Sequence, residues 1–262
     1  MPKPDIFDLD RVTTVIKVEG TLVNETPLRV GSREEFAPGS PVDNPIIRRA
    51  DGTVYIPGSS LKGVFRSFVE AYSQSAWSSG VHVCYPGVHK WVREKAPKGR
   101  EAEGCDTVYC REDGVVESVC VPCYIFGWLD TAARLYVLDA PAEGSPAVGT
   151  RTMVSINRYF GGQQPGQLYT LDFVEPGARF KFRAFVYNLN FVEGEANDVK
   201  AKACQALKAL FQALSRDGLF IGARKSIGLG LVRLVDARFD VYKIQGGSLV
   251  LSASRGLREV VG

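Results

Sequence analysis

The 262-residue chain reads as an α+β protein. Three observations predict it. Two segments carry an apolar stripe at helical spacing, and four are β-branched or alternate apolar with polar residues. The six fall in the order β-α-β-β-α-β. That is the split β-α-β order of a ferredoxin-like, RRM-like core, in which two helices cover one face of a four-stranded sheet and leave the other face open.

Residues 12–24 (RVTTVIKVEGTLV) are β-branched and bounded by turn residues, so they predict the first strand. Residues 60–73 predict the first helix. Leu61, Val64, Phe65, Phe68, Val69 and Tyr72 line one face, Lys62, Arg66 and Glu70 the other, and Ser59 or Ser60 is the expected N-cap. Residues 133–139 (ARLYVLD) predict the second strand. Residues 179–189 predict the third, through alternation at Phe180, Phe182, Ala184 and Val186. Residues 197–216 predict the second helix, with Val199, Ala203, Ala206, Leu207, Leu210, Phe211 and Leu214 on one face and Gly218 as its stop. Residues 229–242 predict the last strand. Three insertions, 25–58, 74–132 and 140–178, each return to the same sheet, so the whole of 1–262 is expected to form one domain.

Composition narrows the class. Apolar residues are 45% and charged residues 23%, as in a folded globular protein. Glycine (27) and proline (14) are abundant, which predicts long ordered loops. No apolar run approaches the ~18 residues of a membrane span, and the start lacks a signal-peptide core, so a cytoplasmic protein without a membrane partner is expected. Lys and Arg number 32 against 29 Asp and Glu. That balance neither requires nor excludes nucleic acid. The cations cluster, however: Arg48, Arg49, Lys62 and Arg66 in 41–66, and Arg216, Arg224, Lys225 and Arg233 in 216–233.

Four of the six cysteines, Cys105, Cys110, Cys120 and Cys123, follow C-x4-C-x9-C-x2-C. In a chain without export signals such a cluster predicts a structural zinc site, because four thiolates close a tetrahedral shell. His82, Cys84 or His89 could replace Cys105 as the fourth ligand; disulfides or plain thiols are the other readings. A zinc deaminase is excluded. His82 is followed two residues on by Cys84 where the chemistry needs Glu, and Pro122-Cys123 lacks the second cysteine.

Two loops could carry an anion. Gly58-Ser59-Ser60-Leu61-Lys62-Gly63 opens the first helix, where backbone N–H groups, hydroxyls and Lys62 would meet a phosphate. It is not a Walker A loop, because Val64 stands where lysine is required. Gly222-Ala223-Arg224-Lys225-Ser226-Ile227-Gly228-Leu229-Gly230 follows a helix and precedes a strand, the reverse of a dinucleotide fingerprint. Its glycines let a strand approach, and Arg224 and Lys225 suit a phosphodiester. Singly, the loops read equally well as a capped helix and a glycine bulge. Together they outline a polyanion track.

These residues resemble the RAMP superfamily, the repeat-associated proteins of CRISPR systems. The resemblance rests on Gly58–Gly63, on Cys120-Val121-Pro122-Cys123-Tyr124-Ile125-Phe126-Gly127 and on Ile221–Gly230. Ser40-Pro41-Val42-Asp43-Asn44-Pro45-Ile46-Ile47-Arg48 looks like the loop before the glycine turn in backbone subunits of type III effector complexes. Ile156-Asn157-Arg158, Leu168-Tyr169 and Val174-Glu175-Pro176-Gly177-Ala178-Arg179-Phe180 look like their thumb, with Asn157 where the family often has Asp. The match runs in order over roughly residues 15–233.

The resemblance implies an RRM-like core, a zinc lobe in 74–132 and a thumb hairpin in 140–178. Its implied partners are guide RNA, target RNA, other effector subunits and further copies of the chain. Its implied activity is cleavage of paired target RNA by Asp43 with Mg or Mn, the 2′-OH being the nucleophile. It also implies RNA contacts by Arg48, Gly58, Ser59, Ser60, Lys62, Arg66, Arg158, Gly222, Arg224, Lys225 and Ser226. Two alternatives stand beside it: a binding-only subunit of the same assembly, and a zinc-stabilised nucleotide-binding enzyme outside it.

Overall fold

In the computed structural model, which describes residues 9, 11–31, 42–77, 119–128, 132–195 and 198–262, the first strand is β1, Thr14–Asn24. Its even-numbered residues Ile16, Val18 and Leu22 are wholly buried, while Lys17 and Glu19 lie on the opposite face. The chain continues through β2 (Tyr55–Ile56), α1 (Gly58–Ala76), α2 (Val121–Phe126), β3 (Leu135–Val137) and β4 (Ala140–Pro141). It then forms β5 (Val148–Ile156), β6 (Gln163–Val174), β7 (Arg179–Tyr187), α3 (Asp198–Arg216) and β8 (Leu219–Phe220). The C-terminal part holds β9 (Leu231–Gln245), β10 (Ser248–Gly256) and α4 (Leu257–Val261).

The main sheet is antiparallel with order β10-β9-β1-β7-β3, and β8 adds to β9. The four strands anticipated from sequence therefore stand fourth-first-third-second across it. On its covered face Phe180, Phe182, Ala184 and Val186 of β7 meet α1 and α3. Leu61, Phe65 and Val69 of α1 are fully buried, as are Ala203, Ala206, Leu207, Leu210, Phe211 and Leu214 of α3. Phe191, Phe211 and Phe239 pack mutually with ring centroids 5.4–5.8 Å apart. Such aromatic pairs add about 1 kcal/mol each beyond their buried area.

Several boundaries differ from expectation for identifiable reasons. α1 starts at Gly58 with Pro57 as N-cap and no side-chain cap, so Ser59 and Ser60 lie within its first turn. Proline fixes the φ that a helix entry needs. β9 changes phase midway: Val232 and Leu234 face the core, then Ala237, Phe239 and Val241 do. Asp236 sits at φ 52 there, and the pairing with β1 shifts between Glu19 and Thr21. That bulge inverts the alternation, as an extra residue must. β5 and β6 form a separate hairpin, paired from Val148↔Val174 to Ile156↔Gln163. Among the described residues no helix is long and apolar enough to cross a membrane.

Candidate nucleic-acid interface

β1 ends at Asn24, whose amide donates to the carbonyls of Thr26, Val174 and Glu175. This ties the exit of the first strand to the base of the β5–β6 hairpin. The following segment runs beside β6 at Leu28↔Val174 and beside the Asp43 loop at Gly31↔Ile46. Arg29 therefore sits where three stretches of chain meet.

The first of these is the glycine-rich basic loop. Ala223 N–H donates to Arg29 O at 2.9 Å, and Gly222 (φ +86) presses so closely that an added Cβ would lie 2.1 Å from that oxygen. Arg224 follows at φ 63, then a 3-10 turn over Lys225–Ile227, then Gly228 and Gly230, both at positive φ. Gly230 N–H donates to Pro27 O at 2.9 Å, and its carbonyl accepts from Ile221 N–H at 2.8 Å. The loop is thus a rigid bracket with Arg224, Lys225 and Ser226 exposed on it.

The second is the loop carrying Asp43, which lies along β6. Asn44 bridges to Leu171 in parallel sense, and Asp172 N–H donates to Asn44 O at 3.1 Å. Thr170 donates to Asp43 Oδ2 twice, from its N–H at 2.7 Å and its hydroxyl at 3.0 Å. The Thr170 backbone N–H, reinforced by its hydroxyl, holds the exposed Asp43 carboxyl below the usual range. A carboxylate so stabilised is a weaker base and stays ionised at neutral pH. Arg29 Nη2 donates to Asn44 Oδ1 at 3.3 Å, and the Arg224 guanidinium lies over the Tyr169 ring at 5.1 Å. The Asp43 loop, the hairpin and the basic loop are one connected unit.

The third stretch at Arg29 is β6 itself. The turn that opens α1 stands apart from them, with Gly58 packed against Val137 and Leu138 at the end of β3. Here the expected open anion site is corrected. Gly58 N–H donates to Asp139 Oδ1 at 2.8 Å, so the chain's own carboxylate already occupies the helix N-terminus. Gly58 itself is buried, because a Cβ would lie 2.4 Å from Val137 O. Ser59 is exposed, Ser60 and Lys62 are half-buried, and burial together with the nearby Arg66 lowers the Lys62 pKa. Arg48 is exposed, its Nη1 on Gly52 O at 3.1 Å.

Arg66 also departs from the expected RNA contact. Its guanidinium turns inward to Glu70 Oε1 (2.9 Å), Gly127 O (3.0 Å) and Cys123 Sγ (3.3 Å). Burial opposes its charge, but the Glu70 hydrogen bond and the Cys123 sulfur outweigh it and raise its pKa. Of the expected zinc ligands, Cys120 and Cys123 are buried, Cys120 as the N-cap of α2. Cys105 and Cys110 lie outside the described residues, as do His82, Cys84 and His89. Two soft thiol donors three residues apart, one facing a guanidinium, fit a thiolate-bound ion.

At the hairpin tip Asn157 organises the turn. Its N–H and carbonyl pair with Gly162 and Gly161, Oδ1 accepts from Tyr159 N–H at 2.8 Å, and Nδ2 donates to Gln164 at 2.6 Å. An aspartate at this position would lack that last donor. The turn exposes Arg158, Phe160 and Tyr159, the last 99% exposed. Neither aromatic stood among the expected site residues, although two adjacent aromatics between Arg158 and Gly161-Gly162 are a visible signal. Arg29 and Thr170 carry no such signal; contact with distant chain makes them part of the site.

Comparison with known proteins places the chain in a family. The sequence profile of the RAMP superfamily matches residues 21–233. The chain is also similar to a Methanocaldococcus jannaschii protein described as "CRISPR system Cms endoribonuclease Csm3". The two are 26% identical over 232 residues, 84% of this chain and 79% of that one.

Proposed function

Because the chain belongs to the RAMP superfamily, we propose that it is a guide-RNA-binding backbone subunit of a type III CRISPR effector complex that cleaves paired target RNA. The observation that carries this reading is the meeting of the Asp43 loop, the β5–β6 hairpin and the Arg224–Lys225 loop at one end of the sheet. The fourth-first-third-second strand order supports reading the core as ferredoxin-like. The partners are guide RNA, target RNA, further copies of the chain and other effector subunits, in the cytoplasm. The name of the Methanocaldococcus jannaschii relative supports the endoribonuclease assignment.

In the proposed reaction the target's 2′-oxygen attacks the adjacent phosphorus. The P–O5′ bond breaks, leaving a 2′,3′-cyclic phosphate and a 5′-hydroxyl; the 2′-OH proton leaves to solvent, and the 5′-oxygen takes one up. A bound Mg or Mn ion would neutralise charge at the phosphate. Asp43, ionised at neutral pH and fixed by Thr170, would hold that ion or orient the 2′-OH. Alignment carries the rest, and the tip residues Tyr159 and Phe160 supply it by wedging into the strand and breaking regular A-form stacking. Replacing both by alanine is expected to change stability by less than about 0.5 kcal/mol, since Tyr159 is almost wholly exposed and Phe160 mostly so. Cleavage at regular intervals should be lost, as read by sizing the products of a uniformly labelled target.

A structural zinc held by Cys120, Cys123 and the Cys105–Cys110 pair would lock α2 beside α1, through the Arg66–Cys123 contact. Prolonged chelation should release about one zinc per chain by elemental analysis and lower the melting temperature. Cys123→Ser should do the same without chelator.

Binding of single-stranded RNA tests the central reading. Affinity should rise with RNA length and fall steeply with salt, and Arg224→Ala and Lys225→Ala should each reduce the salt slope by about one. Saturable mononucleotide binding with no length dependence would favour a nucleotide-binding enzyme instead.

A further inference from the structure

We propose that Arg29 and Arg224 form a two-guanidinium clamp for one RNA phosphate, the scissile one beside Asp43. The clamp deepens the nuclease reading above and rests on it.

Backbone contacts force the two arginines together. Arg29 O is the acceptor for Ala223 N–H, and Gly222 leaves no room for slack, so Arg224 begins one residue from that anchor. The Tyr169 ring holds the Arg224 guanidinium from one side, at 5.1 Å. Arg29 spends Nη2 on Asn44 Oδ1, which places its guanidinium next to the residue that follows Asp43. Its Nε–H is buried and meets no acceptor among the described residues.

Two like charges, a half-buried Arg29 and an exposed Arg224, call for an anion. Burial lowers the Arg29 pKa, and the nearby Arg224 lowers it further; Tyr169 and Asp172 oppose that shift. Asp172 is the carboxylate facing the pair, and its Oδ1 already accepts from the Thr150 hydroxyl at 2.7 Å. No ion pair among the described residues includes either arginine, whereas Arg179, Arg233 and Arg238 all have carboxylate partners. Guanidiniums bind phosphate oxygens through paired N–H donors. A phosphate bound beside both guanidiniums would relieve the repulsion. Its position beside Asp43 is where charge grows on the non-bridging oxygens as the 2′-oxygen attacks, so the clamp stabilises the transition state more than the ground state.

The test uses the assembled, guide-loaded complex under single-turnover conditions with saturating target. Arg29→Met should slow cleavage about 100-fold, the usual loss for one donor at a developing oxyanion. Guide binding and melting temperature should stay close to wild type. Arg29→Lys should recover part of the rate, and the Arg29→Met/Arg224→Met pair should lose less than the product of the single losses, because both act on one phosphate. An unchanged rate overturns the proposal. So does a loss that tracks unfolding and is not relieved by lysine. If the wild-type complex binds target but does not cut it, the nuclease reading fails on its own. The clamp is then read from binding: Arg29→Met must still lower the salt slope by about one, and an unchanged slope overturns it.

Discussion

Replacing Gly230 by alanine is expected to destabilise the protein by about 3 kcal/mol or more, far beyond the usual cost of one methyl group. Two independent penalties meet at this residue. Its φ of +91 is a conformation that only glycine adopts without strain. A Cβ would also lie 2.0 Å from Ile221 O, a backbone atom that cannot swing away. Relief requires Gly230 to give up its hydrogen bonds with Pro27 O and Ile221 N–H, which hold the bracket against the exit of β1. Gly228→Ala is the matched control. Its φ is +89 but nothing lies within 4 Å of the added carbon, so only the conformational part, about 1 kcal/mol, should appear. Equilibrium denaturation with an unchanged m-value measures the difference. Equal losses for the two variants would mean that the bracket is not packed as described. Gly222→Ala should resemble Gly230→Ala in stability and additionally slow target cleavage, because the displaced backbone belongs to Arg29.

What could be read from the sequence follows the range of the forces involved. α1 and α3 are legible because their apolar stripes are local and repeat with the helical period, and Leu61-Phe65-Val69 and Leu207-Phe211-Leu214 are fully buried. β1 and β7 were visible for the same reason at period two. β9 was visible, but its change of face at Asp236 was not, since a bulge is fixed by the partner strand. β10 escaped notice because its Leu249, Val250 and Leu251 are all exposed, at a sheet edge where no buried face imposes alternation. The basic loop could be found by composition. The helix N-terminus of α1 reads as open in the sequence because the carboxylate that meets Gly58, Asp139, lies eighty-one residues away. Arg29 had no motif to reveal it; its place follows from contacts with residues 44 and 223.

Asp43→Asn is expected to reduce target cleavage by at least about 1,000-fold while leaving guide binding and the fold intact. The amide keeps the shape and can still accept from Thr170, so a loss of rate reports the missing charge rather than a missing turn. Exposure of Asp43 argues against any large change in stability. The pH dependence separates its two possible duties. Its pKa is depressed below 3.8, chiefly by the Thr170 backbone N–H, so the carboxylate stays charged through the neutral range. A depressed carboxyl pKa contributes stability above the unfolded value and loses it as pH falls through the folded value, so the Asp43–Thr170 contact should loosen only in strong acid. Between pH 5 and 8 the cleavage rate should therefore show no inflection that belongs to Asp43. Thr170→Val removes the hydroxyl donor while keeping the backbone one, and should shift the acid limb of the profile toward the usual carboxylate value. If Asp43 holds the cation, Thr170→Val should also raise the Mn concentration needed for half-maximal rate while changing the rate at saturating Mn only modestly. A large fall in the saturated rate with unchanged Mn demand would instead assign Asp43 to orienting the 2′-OH, and full activity in Asp43→Asn would reduce the chain to a binding subunit.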